Sequence, residues 1–242
     1  MKMIGIIPSR YGSTRFPGKP LTNICGKPMI WWVYNSVKQV QGLDEIYVAT
    51  DDERIKTVCE QHNINVIMTR NDHMNCFYRV HEVAHRIDAD RYIMINGDEP
   101  LIEPSCIQKI VDEVKRTNAE FLFSYRKLSN PVETMDTGNI KVVISNNKLI
   151  YLSRIPVPCP HKSVLFDYKK IIGIQAFSKE TLDFFVSTPP GEIEQIEDIA
   201  ELRWVENGKT VHCIEVISDS ISVDNPRDVE KVEQMLKQRG VV

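Results

Sequence analysis

The sequence predicts an α/β protein built on a doubly wound, mostly parallel sheet. Short apolar runs at 3–7, 45–50, 64–68 and 91–95 alternate with helix-patterned stretches of about ten residues, the rhythm of strand–helix–strand crossovers. The first run, Met3 to Ile7, is continuously apolar, as a strand covered on both faces must be, and Pro8 ends it. The 242 residues carry no linker, repeat or low-complexity tract, so one domain over 1–242 is expected.

Composition narrows the function. With 42% hydrophobic and 26% charged residues and a net charge of −3, the chain is an ordinary globular one and a poor candidate for general nucleic-acid binding. No apolar run approaches the ~20 residues of a membrane helix, so no membrane partner is expected. The N-terminus passes from Met-Lys directly into a strand, which is too short and structured for a signal peptide. Cys25, Cys59, Cys76, Cys106, Cys159 and Cys213 form no C-x-x-C pair, which fits reduced thiols and a cytoplasmic location.

The loop after the first strand carries the chemistry. Arg10, Arg15 and Lys19 are separated by Gly12, Ser13, Thr14, Pro17 and Gly18. Guanidinium forks and an ammonium suit a polyphosphate, small hydroxyls add donors, and the end of the first strand of such a sheet is where a nucleotide sits. The stretch lacks both G-x-x-x-x-G-K-[ST] and G-x-G-x-x-G, so cations rather than a row of backbone N–H groups are expected to hold the phosphates. The bland alternative is a solvated basic loop.

The remaining elements follow in order. A helix over 28–40 opens at Pro28, with Trp31, Trp32 and Val33 as packing residues. Strand 45–50, helix 52–62 and strand 64–68 come next. Helix 79–88 contains His81-Glu82-Val83-Ala84-His85, formally H-E-x-x-H, whose spacing puts both histidines on one face. No third ligand follows at a recognised spacing, so two solvated histidines are the default and a zinc peptidase the alternative.

Strand 91–95 runs into Asn96-Gly97-Asp98-Glu99-Pro100. A carboxylate in a turn at the carboxyl end of a central strand suits a divalent cation, or else merely caps the turn. Helix 104–117, strand 119–125 and a hairpin over 140–151 turning at Asn146-Asn147 come next. Pro156, Pro158 and Pro160 stiffen an arm ahead of strand 170–177. Helix 178–187, an acidic segment to Glu197, strand 211–216 and helix 226–239 complete the chain.

Residues 8–21, Pro-Ser-Arg-Tyr-Gly-Ser-Thr-Arg-Phe-Pro-Gly-Lys-Pro-Leu, resemble the nucleotide signature of the cytidylyltransferases that activate acidic sugars, most closely the CMP-KDO synthetase family (KDO, 3-deoxy-manno-octulosonate). The resemblance runs in register along nearly the whole chain. Asn96-Gly97-Asp98-Glu99-Pro100 resembles the family's Q-G-D-E-P, and Ile221-Ser222-Val223-Asp224-Asn225-Pro226 its I-x-V-D-T-P. In the family's T-R-x-D-H-x-S-G-T-[DE]-R block, Thr69, Arg70, Asp72, His73 and Arg79 match, whereas Asn75, Cys76, Phe77 and Tyr78 depart. Ile171 and Gln175 depart from a histidine and a tyrosine.

The resemblance implies a Rossmann-like nucleotidyltransferase fold with a lobe over about 130–175 that serves the acceptor and a homodimer interface. It implies CTP and an acidic sugar, most simply KDO, as substrates, Mg²⁺ as cofactor, and a place in lipopolysaccharide or capsule synthesis. Arg10, Lys19, Asp98 and Asp224 become the catalytic set. Pro8, Arg10, Ser13, Arg15, Lys19, Arg70 and Asn96 become the nucleotide-binding set, and Asp98 and Asp224 the metal ligands. Arg154, Glu194 and Gln195 become the acceptor-binding residues. The departures at 75–78, 171 and 175 keep open a different acceptor, another 2-keto sugar acid or a phosphonate. A non-catalytic nucleotide-binding relative is the remaining alternative, and Phe77 and Tyr78 are candidates to cover the pocket.

Overall fold

In the computed structural model, residues 1–13, 15–128, 130–162 and 167–241 are described. The loop residue Thr14 and residues 163–166 of the 130–175 segment lie outside them. β1 (Met3–Ser9) is central and pairs in parallel with β4 (Glu45–Thr50) on one side and β6 (Arg91–Ile95) on the other. β5 (Val66–Met68) adds to β4 as an edge. Two-residue strands β2 (Asn23–Ile24) and β3 (Lys27–Pro28) form a separate small ladder.

The strand period divides the core. Met3 and Ile7 enter the layer formed with α1 (Met29–Lys38), α2 (Glu53–Gln61) and α4 (Pro104–Thr117). Ile4 and Ile6 enter the opposite layer, formed with α3 (Cys76–Arg86), α6 (Lys179–Ser187) and α8 (Leu202–Glu206). A third cluster joins Trp32 to Val223 and to Val232 of α9 (Pro226–Gln238), so the chain's last helix packs beside its first.

The second half of the sheet differs from the mostly parallel expectation. β10 (Lys169–Phe177) runs antiparallel between β6 and β7 (Phe121–Lys127), and β11 (His212–Glu215) runs parallel to β7. The nine-stranded order is therefore β5-β4-β1-β6-β10-β7-β11-β9-β8, a mixed sheet. The expected hairpin is β8 (Lys141–Ser145) and β9 (Lys148–Ser153), turning through Asn146 and Asn147, both at positive φ. It extends the main sheet, since β9 pairs with β11 and β8 with β10. α5 (Pro131–Met135) precedes it, and α7 (Glu192–Glu197) follows α6.

Caps set the helix ends that matter for function. Asn75 accepts the Phe77 N–H and starts α3, while Asn225 and Asp228 form a capping box at the start of α9. The departure at Asn75 thus serves as a helix cap. Phe77 is 2% exposed and packs against Phe177, Phe185 and Trp204. Burying such a ring contributes about 1.5–3 kcal/mol. Tyr78 accepts a hydrogen bond from Arg203. Neither aromatic covers the cleft described next.

Candidate active site

β1 leads into one crossover on the β4 side and has β6 on its other side, so its carboxyl end is a topological switch point. A cleft of about 410 Å³ opens there. Pro8, Ser9 and Arg10 at the end of β1, and Asn96, Gly97 and Asp98 after β6, form its base. Gly97 is required by the close approach of the two strand ends: a Cβ there would stand 2.8 Å from Ser9 Oγ and 3.0 Å from the Pro8 carbonyl.

The basic loop folds back over this base. The Gly18 N–H donates to the Tyr11 carbonyl at 2.9 Å, and Gly18 adopts φ 71°, a left-handed conformation open to glycine. That turn delivers Lys19, the first residue of a short 3-10 turn, into the cleft. Its ammonium lies 2.8 Å from Asp98 Oδ2 and 3.7 Å from Asp224 Oδ1. Arg15 Nη2 lies 3.0 Å from the same Asp224 oxygen. Asp98 and Asp224, from opposite halves of the chain, therefore face one point already held by a cation. Their side chains are 29% and 30% exposed. Two part-exposed carboxylates leave room for coordinated water, the donor set that a hard divalent ion such as magnesium takes.

Their positions are tightly built. The Val223 N–H donates to the Asp98 carbonyl at 2.9 Å, and Asp228 accepts from the Asp224 and Asn225 N–H groups at 3.2 and 2.9 Å. Asn96 donates its backbone N–H to Gly173 of β10. Arg10 lines the cleft, is exposed, and makes no hydrogen bond or ion pair among the described residues, so its guanidinium is available to a ligand. Ser13 and Asn96 line the cleft as expected. Burial, ahead of the nearby Glu201 and Asp98 charges, pushes the Cys76 thiol up to about 12, so this cleft cysteine is no thiolate nucleophile.

Four expected site residues are placed elsewhere. Arg70 grips Asp72 on the surface and lines a neighbouring depression with Tyr78 and His81. Arg154 donates to the carbonyls of Glu197 (2.7 Å), Asp198 (2.8 Å) and Thr137 (3.3 Å), so its fork is taken up by backbone. Glu194 is buried in a two-point ion pair with Arg203 at 2.8 and 2.6 Å, a packing role. Gln195 is exposed and donates back to Pro190 and Gly191. An acidic helix face and a carbonyl-bound arginine have the same residue types as an acceptor pocket, which is why the sequence alone did not separate them.

Other residues take their places on the wall. His73, Met74, Arg79 and Asp198 line the cleft, with Ser9 and Gly97 at its base. His73 and Arg79 stood in a matched motif without an assigned role. Arg79 is 4% exposed and pairs with Asp51 at 3.4 Å and with Thr69. Asp198 has no signal in the sequence, because only the left-handed turn that ends α7, φ 52°, brings it to the cleft.

A switch-point cleft with a cationic loop and paired carboxylates defines a nucleotidyltransferase-type α/β protein. A cytidylyltransferase family model matches residues 4–211. The chain is 36% identical to the 3-deoxy-manno-octulosonate cytidylyltransferase of Escherichia coli, over 98% of this chain and 97% of that one. It is 37% identical to an 8-amino-3,8-dideoxy-manno-octulosonate cytidylyltransferase of Shewanella sp., over 98% and 99%. It superposes on a CMP:2-keto-3-deoxy-manno-octonic acid synthetase solved with CTP at a TM-score of 0.93 and 35% identity, covering 99% of this chain and 100% of that one. The chain belongs to the cytidylyltransferase family.

Proposed function

We propose that this chain transfers CMP from CTP to a 2-keto acidic sugar, 3-deoxy-manno-octulosonate or its 8-amino-3,8-dideoxy counterpart, releasing pyrophosphate. The observation that carries the reading is the Lys19 ammonium between Asp98 and Asp224 in a cleft that also holds Arg10 and Arg15. Relatives named for both acceptors are alike in their identity to this chain.

Arg10, Arg15 and Lys19 bind the triphosphate and stabilise the charge that develops on departing pyrophosphate. The Arg15–Asp224 pair is a largely exposed one, with Arg15 64% exposed, so it is worth little and exchanges readily for phosphate. Pro8, Ser13 and Asn96 line the nucleotide side. Asp98 and Asp224 would hold Mg²⁺, a reading supported by the Lys19 ammonium that lies 2.8 and 3.7 Å from the two carboxylates. When bound, the metal lowers the pKa of the attacking hydroxyl and screens anion from anion. No protein nucleophile is needed, and catalysis is positioning and electrostatics.

The two named acceptors differ by an amine. Asp198, whose side chain is 96% exposed at the cleft wall and held only by a 3.4 Å pair with Arg154, would offer a carboxylate to such an ammonium. The departures at Phe77 and Tyr78 are absorbed by packing, whereas Asn75, which also caps α3, and Cys76 line the cleft and are the ones that bear on the acceptor. We also propose the homodimer that the family resemblance implies for the proline arm, and a cytoplasmic enzyme that supplies lipopolysaccharide or capsule assembly. No helix among the described residues is long and apolar enough to cross a membrane.

Pyrophosphate release from CTP, measured across a panel of both sugars, other 2-keto sugar acids and a phosphonate, tests the assignment. Release with one or both octulosonates, with the CMP-sugar found by mass, is expected. Release with the phosphonate alone overturns the acceptor, and silence for every acceptor despite CTP binding favours a non-catalytic nucleotide-binding protein.

A further inference from the structure

His81 and His85, one turn apart on α3, both direct Nε2 at a single oxygen of Asp183 on α6, at 2.9 and 2.8 Å. Their rings lie 4.3 Å apart, and the three donor atoms lie within 4.8 Å of one another. Helical spacing aligns the two histidines. The third group stands 98 residues beyond His85 and arrives through the packing of α3 on α6, where Phe77 and Tyr78 meet Phe185 at 5.0 and 5.5 Å.

Glu82, between the histidines, does not join them. Its carboxylate accepts the Arg70 N–H at 3.0 Å and pairs with His73 and Arg86. A peptidase of the H-E-x-x-H type needs that glutamate as base beside the metal, so the peptidase reading fails. The ligand set is unaffected by that loss.

We infer that His81, His85 and Asp183 form a binding site for a transition-metal ion of the zinc class, separate from the catalytic cleft and open to water at its remaining position. Two imidazoles and a carboxylate with one position left open are the donor set of open zinc sites. Nitrogen donors favour zinc over magnesium, which seeks oxygen, so the two ions partition between this site and Asp98–Asp224. Zn–N distances of about 2.0–2.1 Å place tetrahedral ligands about 3.3 Å apart. Each histidine must therefore open by roughly half an ångström from Asp183, from 2.9 and 2.8 Å, while the two Nε2 atoms, within 4.8 Å of each other, settle to the same spacing.

Side-chain exposures of 21% for His81, 47% for His85 and 44% for Asp183 give an ion access. The same helix carries Cys76 and Arg79 into the cleft at its other end, so an ion joining α3 to α6 anchors a cleft wall from behind.

Metal-stripped full-length protein titrated with Zn²⁺ in a calorimeter, and with Co²⁺ followed by visible absorption, tests the site. One equivalent of zinc and a tetrahedral Co²⁺ spectrum are expected in wild type and in Asp98→Asn. Affinity at least about tenfold weaker, with loss of that spectrum, is expected in both His85→Ala and Asp183→Asn. Circular dichroism and metal-free Tm check that the variants are folded, and Asp183→Asn decides if His85→Ala is not. Absence of stoichiometric uptake overturns the inference. So does uptake that survives both substitutions, or uptake lost in Asp98→Asn, which would place the ion in the catalytic cleft.

Discussion

The backbone N–H of Val223 donates to the carbonyl oxygen of Asp98 over 2.9 Å. Through this bond the turn after β6 and the segment leading into α9 are held side by side. The two carboxylates that share Lys19 owe their spacing to main chain, a more rigid support than side-chain packing alone.

Removing either carboxylate charge should therefore stop turnover without loosening the fold. For Asp98→Asn and Asp224→Asn, a loss of several kcal/mol of transition-state stabilisation predicts a fall in kcat of about 10²–10³-fold or more, with Tm close to wild type. Initial-rate measurements with thermal melts check this. Near-normal kcat in either variant removes that residue from the catalytic set.

Lys19 and Arg15 should differ in importance. Lys19 is 14% exposed and faces both aspartates, whereas Arg15 is 64% exposed and faces one. Lys19→Ala is expected to raise KM for CTP and lower kcat together, with kcat/KM down by about 10²-fold or more, and Arg15→Ala by about tenfold. CTP titrations at saturating acceptor read both constants. Equal effects of the two substitutions would show that burial does not set their weight.

Glu194 should behave as a structural residue. Its pair with Arg203 is buried, with side chains 9% and 1% exposed, and Glu194→Ala leaves an unpaired guanidinium inside. Breaking such a pair costs about 3–5 kcal/mol, a drop in Tm on the order of 10 °C for a chain of this size. The acceptor KM of the folded fraction is expected to stay at its wild-type value. A large rise in acceptor KM at unchanged Tm would return Glu194 to the substrate.

Stability should carry a pH signature from Glu201. Burial raises this carboxyl above its ordinary value of 4.5, and Gln175 Nε2 donates to it at 2.7 Å while Gln175 Oε1 has no partner. The native state keeps the proton to higher pH than the unfolded chain. The associated stability is complete below about pH 4.5 and is lost as pH rises through the native pKa. Glu201→Gln removes that loss and supplies a donor for Gln175 Oε1. Its stability relative to wild type should rise from pH 4 to pH 8, as read by urea unfolding across that range. A difference that is flat with pH contradicts the assignment.

Much of this was legible in the sequence because local chemistry and tertiary position agree. Helix 104–117 has its observed bounds, opened by Pro104 and ended at Asn118 in the left-handed region. Arg10, Lys19, Asp98 and Asp224 were expected together and do line one cleft. What escaped depends on distant partners. The direction of β10 is set by its neighbours in the sheet. Arg154 is captured by carbonyls at the end of α7, and Asp183 meets the α3 histidines only through packing between helices. No residue spacing encodes those meetings.

The most direct measurement is Mn²⁺ binding followed by electron paramagnetic resonance, with CTP present and acceptor omitted, in a folded His85→Ala or Asp183→Asn background, neither of which alters a residue that lines the cleft. One bound Mn²⁺ is predicted, weakened by about tenfold or more by Asp98→Asn and equally by Asp224→Asn, with the double variant little worse than either single, since all three break the same site. Mn²⁺ binding that ignores one of the two substitutions, or two additive losses, would contradict a single ion shared by the pair.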